Sequence, residues 1–473
     1  TDMEDTVHMV LEGKMAELLV KIDPKLYRKY LLVEKGKSVM YVQLKKALYG
    51  TLQAALLFWK KLSKKLVEWG FEINPYDWCV ANKEINGKQC TVLWHVDDIK
   101  VSHMEYKVVT HVLDLFDKEY GKEAPLVVTR GKIHEYLGMT IDYSVKGKVT
   151  IIMDPYIQGM LDDLPIDMAG EAATPAATHL FQVNEDAEKL DEPTAQIFHH
   201  NVAKLLFLCK RARPDIQTAV AFLCTRVKTP DIDDYKKLTR TMRFLQGTIN
   251  DHLTLEADNL SLIKWWVDAA YAVHPDMKSH TGGVVSFGVG AVMSKSSKQK
   301  LNTKSSREAE LVGASDYLPY PIWAKKFLEA QGYALHENVF NQDNKSTIRF
   351  EENGRKSCGP NSRHIDISYF FIKDRIDLEG ITVKYCPTAE MLADFFTKPL
   401  QGNLFRKFRA VIMGHEHINT LNPPTSAPSQ ERVGKDIVVG NGADVRSTDG
   451  IRAPPTKLTY AEIVKRTQSK PQE

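Results

Sequence analysis

The sequence predicts a chain of several domains, with α/β and α+β regions joined by a helical segment. Its 473 residues exceed what one ordinary domain holds. Short strand-like runs mix with helical spacing at the N-terminal end and again from about Leu262 to Gly414. Between these regions, from about Thr194 to Gly247, the pattern is almost wholly helical, with Pro214 and Pro230 as breakers.

Hydrophobic content of 43% and charged content of 26% fit a soluble globular protein. No apolar run approaches the roughly 18 residues that span a bilayer, so no membrane partner is expected. The acidic start, Thr1 to Asp5, has no apolar core of the kind a secretory signal needs and no initiator Met, so a processed chain or a fragment is expected. The six cysteines are dispersed without a CxxC pair, which fits an intracellular, reducing setting better than a disulfide framework or a zinc site. A net charge of +3 leaves any nucleic-acid binding to local clusters. From Asn422-Pro423-Pro424 onward the chain is rich in Pro, Ser, Thr, Gly and charge, and residues 415–473 are predicted to be a disordered tail.

In the first region, Val39–Val42 and Cys90–Trp94 read as strands. Leu52–Trp69 reads as a helix with Leu56, Trp59, Leu62 and Leu66 on its apolar face. Thr91–His103 reads as strand, tight acidic turn, strand, with Asp97 and Asp98 at the turn. Two adjacent aspartates at a buried hairpin tip repel each other and lose hydration unless cations compensate. Two-metal polymerases use carboxylates in this way, across cations about 4 Å apart. Asp-Asp is also simply a good turn, so the motif alone is weak.

Its neighbours add specificity. Gln43–Ala55 contains Lys46-Ala47-Leu48-Tyr49-Gly50 and Gln53-Ala54, and Glu135–Met139 contains Tyr136-Leu137-Gly138-Met139. In this order the blocks resemble those of copia-type retrotransposon Pol polyproteins. The resemblance implies a partial reverse-transcriptase palm over residues 1–145, with Asp97 and Asp98 as a catalytic, metal-holding pair. It places Gln53 beside the incoming nucleotide and Tyr136 near the primer. Primer–template nucleic acid and dNTP are the ligands implied for the full-length parent. Arg213-Pro214-Asp215-Ile216 with Ala219-Val220 is similar to the family's link between polymerase and nuclease, with Ala212 in place of a Thr. Residues 146–258 are accordingly expected to form a mostly helical thumb or connection. His95 stands where the family usually has an aromatic residue and is given no proton-transfer role. The family's first catalytic Asp lies on an earlier strand, and Asp2–Asp5 resembles the stretch just downstream of that strand. The fragment is therefore expected to lack that strand and most of the fingers, leaving the polymerase step inactive.

The later region spreads carboxylates over separate elements. Trp265–Ala270 reads as a strand carrying Asp268, and Thr281–Gly288 and Ala291–Lys295 as two more. Ser305 or Ser306 caps a helix carrying Glu308 and Glu310. Val339–Asn344 is a strand ending in Asp343, Ile381–Cys386 is another, and Ala389–Phe396 is expected to be a helix carrying Asp394. Cleaving a phosphodiester with two cations needs several negative ligands converging in this manner.

This order is similar to a ribonuclease H-like α/β domain with a mixed five-stranded sheet over residues 259–414. The landmarks of the copia-type domain are Lys298-Gln299, Ser305-Ser306, Glu308, Glu310, Asp343-Asn344, Ser346, Arg363-His364-Ile365-Asp366, Leu392-Ala393-Asp394 and Thr397-Lys398-Pro399-Leu400. The resemblance implies that Asp268, Glu310, Asp343 and Asp394 are catalytic metal ligands for two Mg²⁺ or Mn²⁺ ions, and that the substrate is the RNA of an RNA–DNA hybrid. Glu310 is preferred because it precedes the apolar run Leu311–Ala314, whereas Glu308 reads as a first-turn carboxylate favoured by the helix dipole. His364 either touches substrate or orients its helix. Lys298, Lys300, Lys304 and Arg307, with Lys295, form the densest basic cluster and are expected to contact backbone phosphates. Pro319 and Pro321 should kink or interrupt the following helix near Tyr320.

The expected function is thus a metal-dependent ribonuclease H attached to an RNA-directed DNA polymerase fragment. It is placed in a cytoplasmic particle or the nucleus, with self-association among Pol products as a further expectation. The alternative is a non-catalytic nucleic-acid-binding relic of a decayed element. An integrase or transposase shares the fold, but Thr397-Lys398-Pro399 and the polymerase blocks have no place in one.

Overall fold

In the N-terminal region the alternating apolar residues pair into a four-stranded antiparallel sheet of Glu72–Ile73, Val80–Ile85, Lys88–His95 and Asp98–Ser102, in chain order. The computed structural model describes residues 2–46, 48, 51–122, 124–164, 169–353 and 366–421, so residues 422–473, Cys358 and His364 lie outside the described residues. The first part of the expected tail, residues 415–421, is ordered, with Ile418 and Leu421 buried in the core. Period-2 alternation sends Cys90, Val92 and Trp94 to one face. There they pack with Leu62 and Leu66 of helix Leu52–Glu68 and with Val112 and Phe116 of helix Tyr106–Tyr120. Leu56, expected on the buried stripe, is 49% exposed because the sheet does not extend beneath it.

A second sheet runs in the order Gly288–Val289, Leu253–Ala257, Lys148–Ile152, Met139–Asp142, Ile133–Tyr136. It crosses the positions near 145 and 258 at which the sequence suggests domain ends. The cause is pairing: Lys148–Ile152 bonds to Met139–Asp142 on one side and to Leu253–Ala257 on the other.

The helical segment contains Glu192–Cys209, Gln217–Cys224 and Ile232–Gln246. Asp191 caps the first by accepting the Thr194 amide at 3.1 Å, and Asp231 with Asp234 forms a reciprocal capping box on the third. Their apolar faces (Phe198, Leu205, Val220 and Met242) join Trp266, Val284, Phe396 and Phe408 in one core, so no solvent seam divides this segment from the α/β region downstream.

The third sheet has the order β3-β2-β1-β4-β5, with β1 Leu262–Ala270, β2 His280–Ser286, β3 Met293–Lys298, β4 Glu337–Gln342 and β5 Ile381–Tyr385. β1, β2 and β3 pair antiparallel, while β1, β4 and β5 run parallel. Helix α1 (Ser306–Tyr317) lays Leu311, Ala314 and Tyr317 against Ile263, Trp265 and Val267. Trp265 stacks on Phe340 at 4.0 Å. Trp266, pointing the other way, enters the core shared with the helical segment.

One local expectation is met and one is corrected. Pro319 and Pro321 interrupt the helical run: α1 ends at Tyr317 and α2 (Pro319–Ala330) begins just after it. In the first turn a missing amide donor breaks no intrahelical bond. Asp394 does not lie on a helix from Ala389 to Phe396. That stretch is two 3₁₀ turns, Thr388–Glu390 and Leu392–Phe396, separated by Met391 at ψ 86°. Downstream of β4 come α3 (Lys345–Asn353) and α4 (Asp366–Glu379), and the closing helix is α5 (Gly402–Ile412).

Among the described residues Cys79, Cys90, Cys209, Cys224 and Cys386 are free thiols. No helix among the described residues is long and apolar enough to cross a membrane.

One ionic network pins the helical segment to α5. Arg213 and Asp215, each 1% exposed, form a bidentate pair at 2.9 Å, and Arg409 of α5 adds a third bond to Asp215 at 2.9 Å. Burial alone would raise the Asp215 carboxyl, but the Arg213 and Arg409 charges outweigh it and hold it at about 2. Asp215→Ala leaves Arg213 buried without its counter-charge and should cost about 3–5 kcal/mol in urea unfolding. A loss below about 1 kcal/mol, the range of an exposed pair, would show that the network is not what joins the segments.

Candidate metal centre

Asp268 stands near the end of β1. The register Trp266↔Asn341 brings it level with Asp343, the first residue after β4. Asn344 turns the chain at once into α3, its side chain accepting the amides of Ser346 at 3.0 Å and Thr347 at 3.2 Å. Two parallel strand ends therefore offer carboxylates side by side.

The third comes from α1. Ser305 caps that helix by accepting the Glu308 amide at 3.3 Å, and Glu308 accepts the Lys304 amide at 2.7 Å. Glu308 is thereby used at the helix start. Glu310 lies further into the helix, and Gly313 lets α1 approach β1 closely: a Cβ there would sit 3.4 Å from that of Ala269. Asp268, Glu310 and Asp343 each bring a carboxylate oxygen within 4.8 Å of the others.

Asp394 reaches the same place through the 3₁₀ turn Leu392–Phe396. Gly282, paired opposite Asp268, makes room for it. A Cβ on Gly282 would fall 2.6 Å from Thr397 Cγ2 and 2.8 Å from the Phe396 carbonyl carbon. With no Cβ in the way, the Thr397 hydroxyl donates to Asp268. Lys398 Nζ lies 2.7 Å from Asp394 Oδ1 and 3.3 Å from Asp268 Oδ2.

Crowding of like charges out of water decides the protonation of this group. Asp268, Glu310 and Asp394 are 2%, 6% and 4% exposed. Burial, reinforced by the Asp268 and Asp343 charges, raises Glu310 well above the carboxylate range. Burial and then Asp268 raise Asp343. Asp394 is pushed up to about 7 by burial and the Asp268 charge, against the opposing pull of Lys398. Glu310 Oε2 is buried with no hydrogen-bond partner among the described residues. An all-carboxylate set with an unsatisfied oxygen suits a hard divalent cation such as Mg²⁺ or Mn²⁺.

The other expected site residues are placed elsewhere. Asp97 and Asp98 come directly after Val96 at a hairpin tip where His95 pairs with Asp98. Val96 has φ +54°, a region β-branched residues rarely adopt. Both aspartates are exposed, correcting the expected buried tip, because the covered face ends at Trp94. Tyr136 is half-buried, and burial followed by the Asp98 charge raises its hydroxyl, so these two are near one another. Gln53 lies in the first turn of helix Leu52–Glu68. Among the described residues no third ligand joins Asp97 and Asp98. Lys298 is paired with Asp276 at 2.8 Å, whereas Lys300, Lys304 and Arg307 are exposed before and at the start of α1.

Three residues gain roles that their place among the motifs did not reveal: Thr397 and Lys398, and the buried Gln299, which donates to Thr281 at 3.0 Å and to the Ala309 carbonyl at 2.9 Å. Gln299 ties the end of β3 to the turn of α1 that carries Glu310.

Residues 6–178 match the family described as reverse transcriptase (RNA-dependent DNA polymerase). The chain is 26% identical over 389 residues to the retrovirus-related Pol polyprotein from transposon TNT 1-94 of Nicotiana tabacum, covering 81% of this chain and 29% of that protein. Against the Pol polyprotein from transposon RE2 of Arabidopsis thaliana it is 26% identical, covering 80% of this chain and 25% of that protein. It is 25% identical to the putative transposon Ty5-1 protein of Saccharomyces cerevisiae, over 57% of this chain and 86% of that one. The chain thus spans under a third of the two plant polyproteins.

The raised Asp394 carboxyl has a consequence for stability. In the metal-free folded protein it holds its proton to about pH 7, whereas its ordinary value is 3.8. The folded state then binds more protons than the unfolded chain across that window, so stability falls as pH rises from about 4 to about 7. Asp394→Asn should flatten the fall in urea titrations with EDTA. An equally steep fall in the variant would locate the titrating group elsewhere.

Proposed function

The chain belongs among the copia-type Pol polyproteins, and from that premise we propose that residues 259–414 act as a metal-dependent ribonuclease H on RNA–DNA hybrids. One observation carries this reading: three carboxylates from β1, α1 and the end of β4 meet within 4.8 Å. The strand order β3-β2-β1-β4-β5 supports it, because the ends of the parallel strands are where an α/β sheet builds its sites. Pro319 and Pro321 open a helix, where their missing amide donors break no intrahelical bond.

In this reading Asp268, Glu310, Asp343 and Asp394 would hold the divalent cations. When bound, Mg²⁺ or Mn²⁺ neutralises the scissile phosphate and makes a bound water more acidic. Thr397 fixes the orientation of Asp268, and Gln299 that of the helix start carrying Glu310. Lys300, Lys304 and Arg307 lie on the approach to α1 and would meet the sugar–phosphate backbone, positioning a duplex without reading its sequence. The hybrid is the favoured substrate because a polymerase-like region in the same chain would make such a duplex. There Asp97 and Asp98 would hold metal, with Tyr136 at the primer and Gln53 at the nucleotide, as part of the RNA-directed DNA polymerase of a full-length parent.

The full chain should cleave the RNA strand of a labelled hybrid in Mg²⁺ or Mn²⁺. Asp343→Asn should slow cleavage more than about 100-fold, some 2.7 kcal/mol at 1.36 kcal/mol per tenfold, while hybrid binding persists. A variant that cuts like its parent removes Asp343 from the site.

Hybrid affinity should also fall steeply with salt. The Lys300→Ala, Lys304→Ala double variant should reduce the slope by about 0.7–0.9 for each phosphate no longer neutralised. An unchanged slope would move the phosphate track away from this loop.

A further inference from the structure

We propose that Lys398 is the built-in counter-cation of the metal-free site: its ammonium bridges Asp268 and Asp394, holds the carboxylates together before a divalent ion arrives, and withdraws when one binds. The metal half of this inference rests on the nuclease reading above; the counter-cation half does not.

The geometry is that of a cation in a ligand cage. Lys398 Nζ is 2.7 Å from Asp394 Oδ1 and 3.3 Å from Asp268 Oδ2, and it links two carboxylates carried by different elements. Asp394 lies outside the group formed by Asp268, Glu310 and Asp343 but meets Asp268 directly through a side-chain hydrogen bond, and Lys398 spans the same two acids. The backbone at this point is fixed. The Lys398 amide donates to the Asp394 carbonyl at 2.9 Å, and the Thr397 hydroxyl donates to Asp268. Only the flexible stem is then left to move.

The lysine side chain is 41% exposed while its two partners are 5% exposed or less. A path to water is therefore open to the ammonium but closed to the acids it neutralises. Lysine suits this task better than arginine: its ammonium is a compact point charge with rotatable donors and imposes no planar two-point geometry. The ammonium reaches Asp268 and Asp394 but leaves Glu310 Oε2 buried without a hydrogen-bond partner among the described residues. The site is thus gathered without being satisfied. A divalent ion entering between Asp268 and Asp394 must displace the ammonium, and the exposed stem lets it leave without disturbing the strand ends.

The test uses the full chain carrying Lys398→Met, which keeps the apolar stem, with Lys398→Arg as the charge-retaining control. Thermal midpoints are measured in EDTA and in saturating Mn²⁺, and Mn²⁺ affinity is read from free Mn²⁺ by electron paramagnetic resonance. Lys398→Met should lower the midpoint in EDTA, recover most of that loss in Mn²⁺, and bind Mn²⁺ at least about fivefold more tightly than the parent, the lower end of ordinary coupling between ligands. Lys398→Arg should stay close to the parent in EDTA. Equal losses with and without Mn²⁺, failure of Lys398→Met to fold even in Mn²⁺, or Mn²⁺ affinity that is unchanged or weaker would each overturn the proposal. A parent that binds no Mn²⁺ defeats the nuclease reading instead, and the EDTA midpoints of the two variants then decide whether Lys398 is the counter-cation.

Discussion

The fold is organised around the cost of bringing like charges together out of water. At a separation near 5 Å two carboxylates oppose each other by about 3 kcal/mol even at an effective dielectric constant of 20. The chain meets that cost with position first and charge second. Parallel pairing of β1 with β4 sets Asp268 beside Asp343, and the close approach of α1 at Gly313 delivers Glu310. Gly282 then lets the turn bearing Asp394, Thr397 and Lys398 settle onto β2. A side chain at Gly282 would push that turn away from the strand carrying Asp268. Gly282 is thus explained by the acids, whereas its neighbour Gly283 makes room for the Tyr317 ring, 2.5 Å from where a Cβ would stand.

That last turn is not held by the five-stranded sheet alone. Thr218, from the helical segment, donates to the Phe395 carbonyl at 2.7 Å, one residue from Asp394. Phe396 and Phe405 share a core with Phe244 and Leu208. The ionic knot of Arg213, Asp215 and Arg409 closes the same interface. The helical segment therefore acts as the back wall of the site: it fixes the element that completes the carboxylate set. Whatever loosens residues 192–246 should be felt at Asp394 before it is felt at Asp268, whose position depends on strand pairing.

Features encoded locally were legible in the sequence. The strand bearing Asp268, the Ser305 cap, the Asp343-Asn344 turn and the acidic hairpin each follow from a few adjacent residues. What could not be read depends on partners distant in the chain. Lys148–Ile152 and Leu253–Ala257 lie about a hundred residues apart in the chain, and no local pattern reports that they pair. The 3₁₀ geometry around Asp394 depends on contacts with β2, which no periodicity reports. Thr397 and Lys398 were visible as motif letters, but their bonds to Asp268 exist only because Gly282 lies opposite it. Leu56 fits a helical stripe perfectly well and remains exposed, since amphipathic spacing says which face is apolar and not how far the opposing sheet extends.

The two acidic sites solve different electrostatic problems. Asp97 and Asp98 are exposed at the hairpin tip, where water screens the two carboxylates from one another. Placement there is secured by backbone instead: Val96 is held at φ +54° so that a two-residue turn can point both acids past the end of the sheet. Asp268, Glu310 and Asp394 are buried, and burial raises the last two enough to take up protons. A buried set needs positive charge at all times to remain a set of carboxylates, whereas an exposed pair needs it only during use. This difference accounts for a lysine beside the buried acids, and for the hairpin having no ion pair among the described residues.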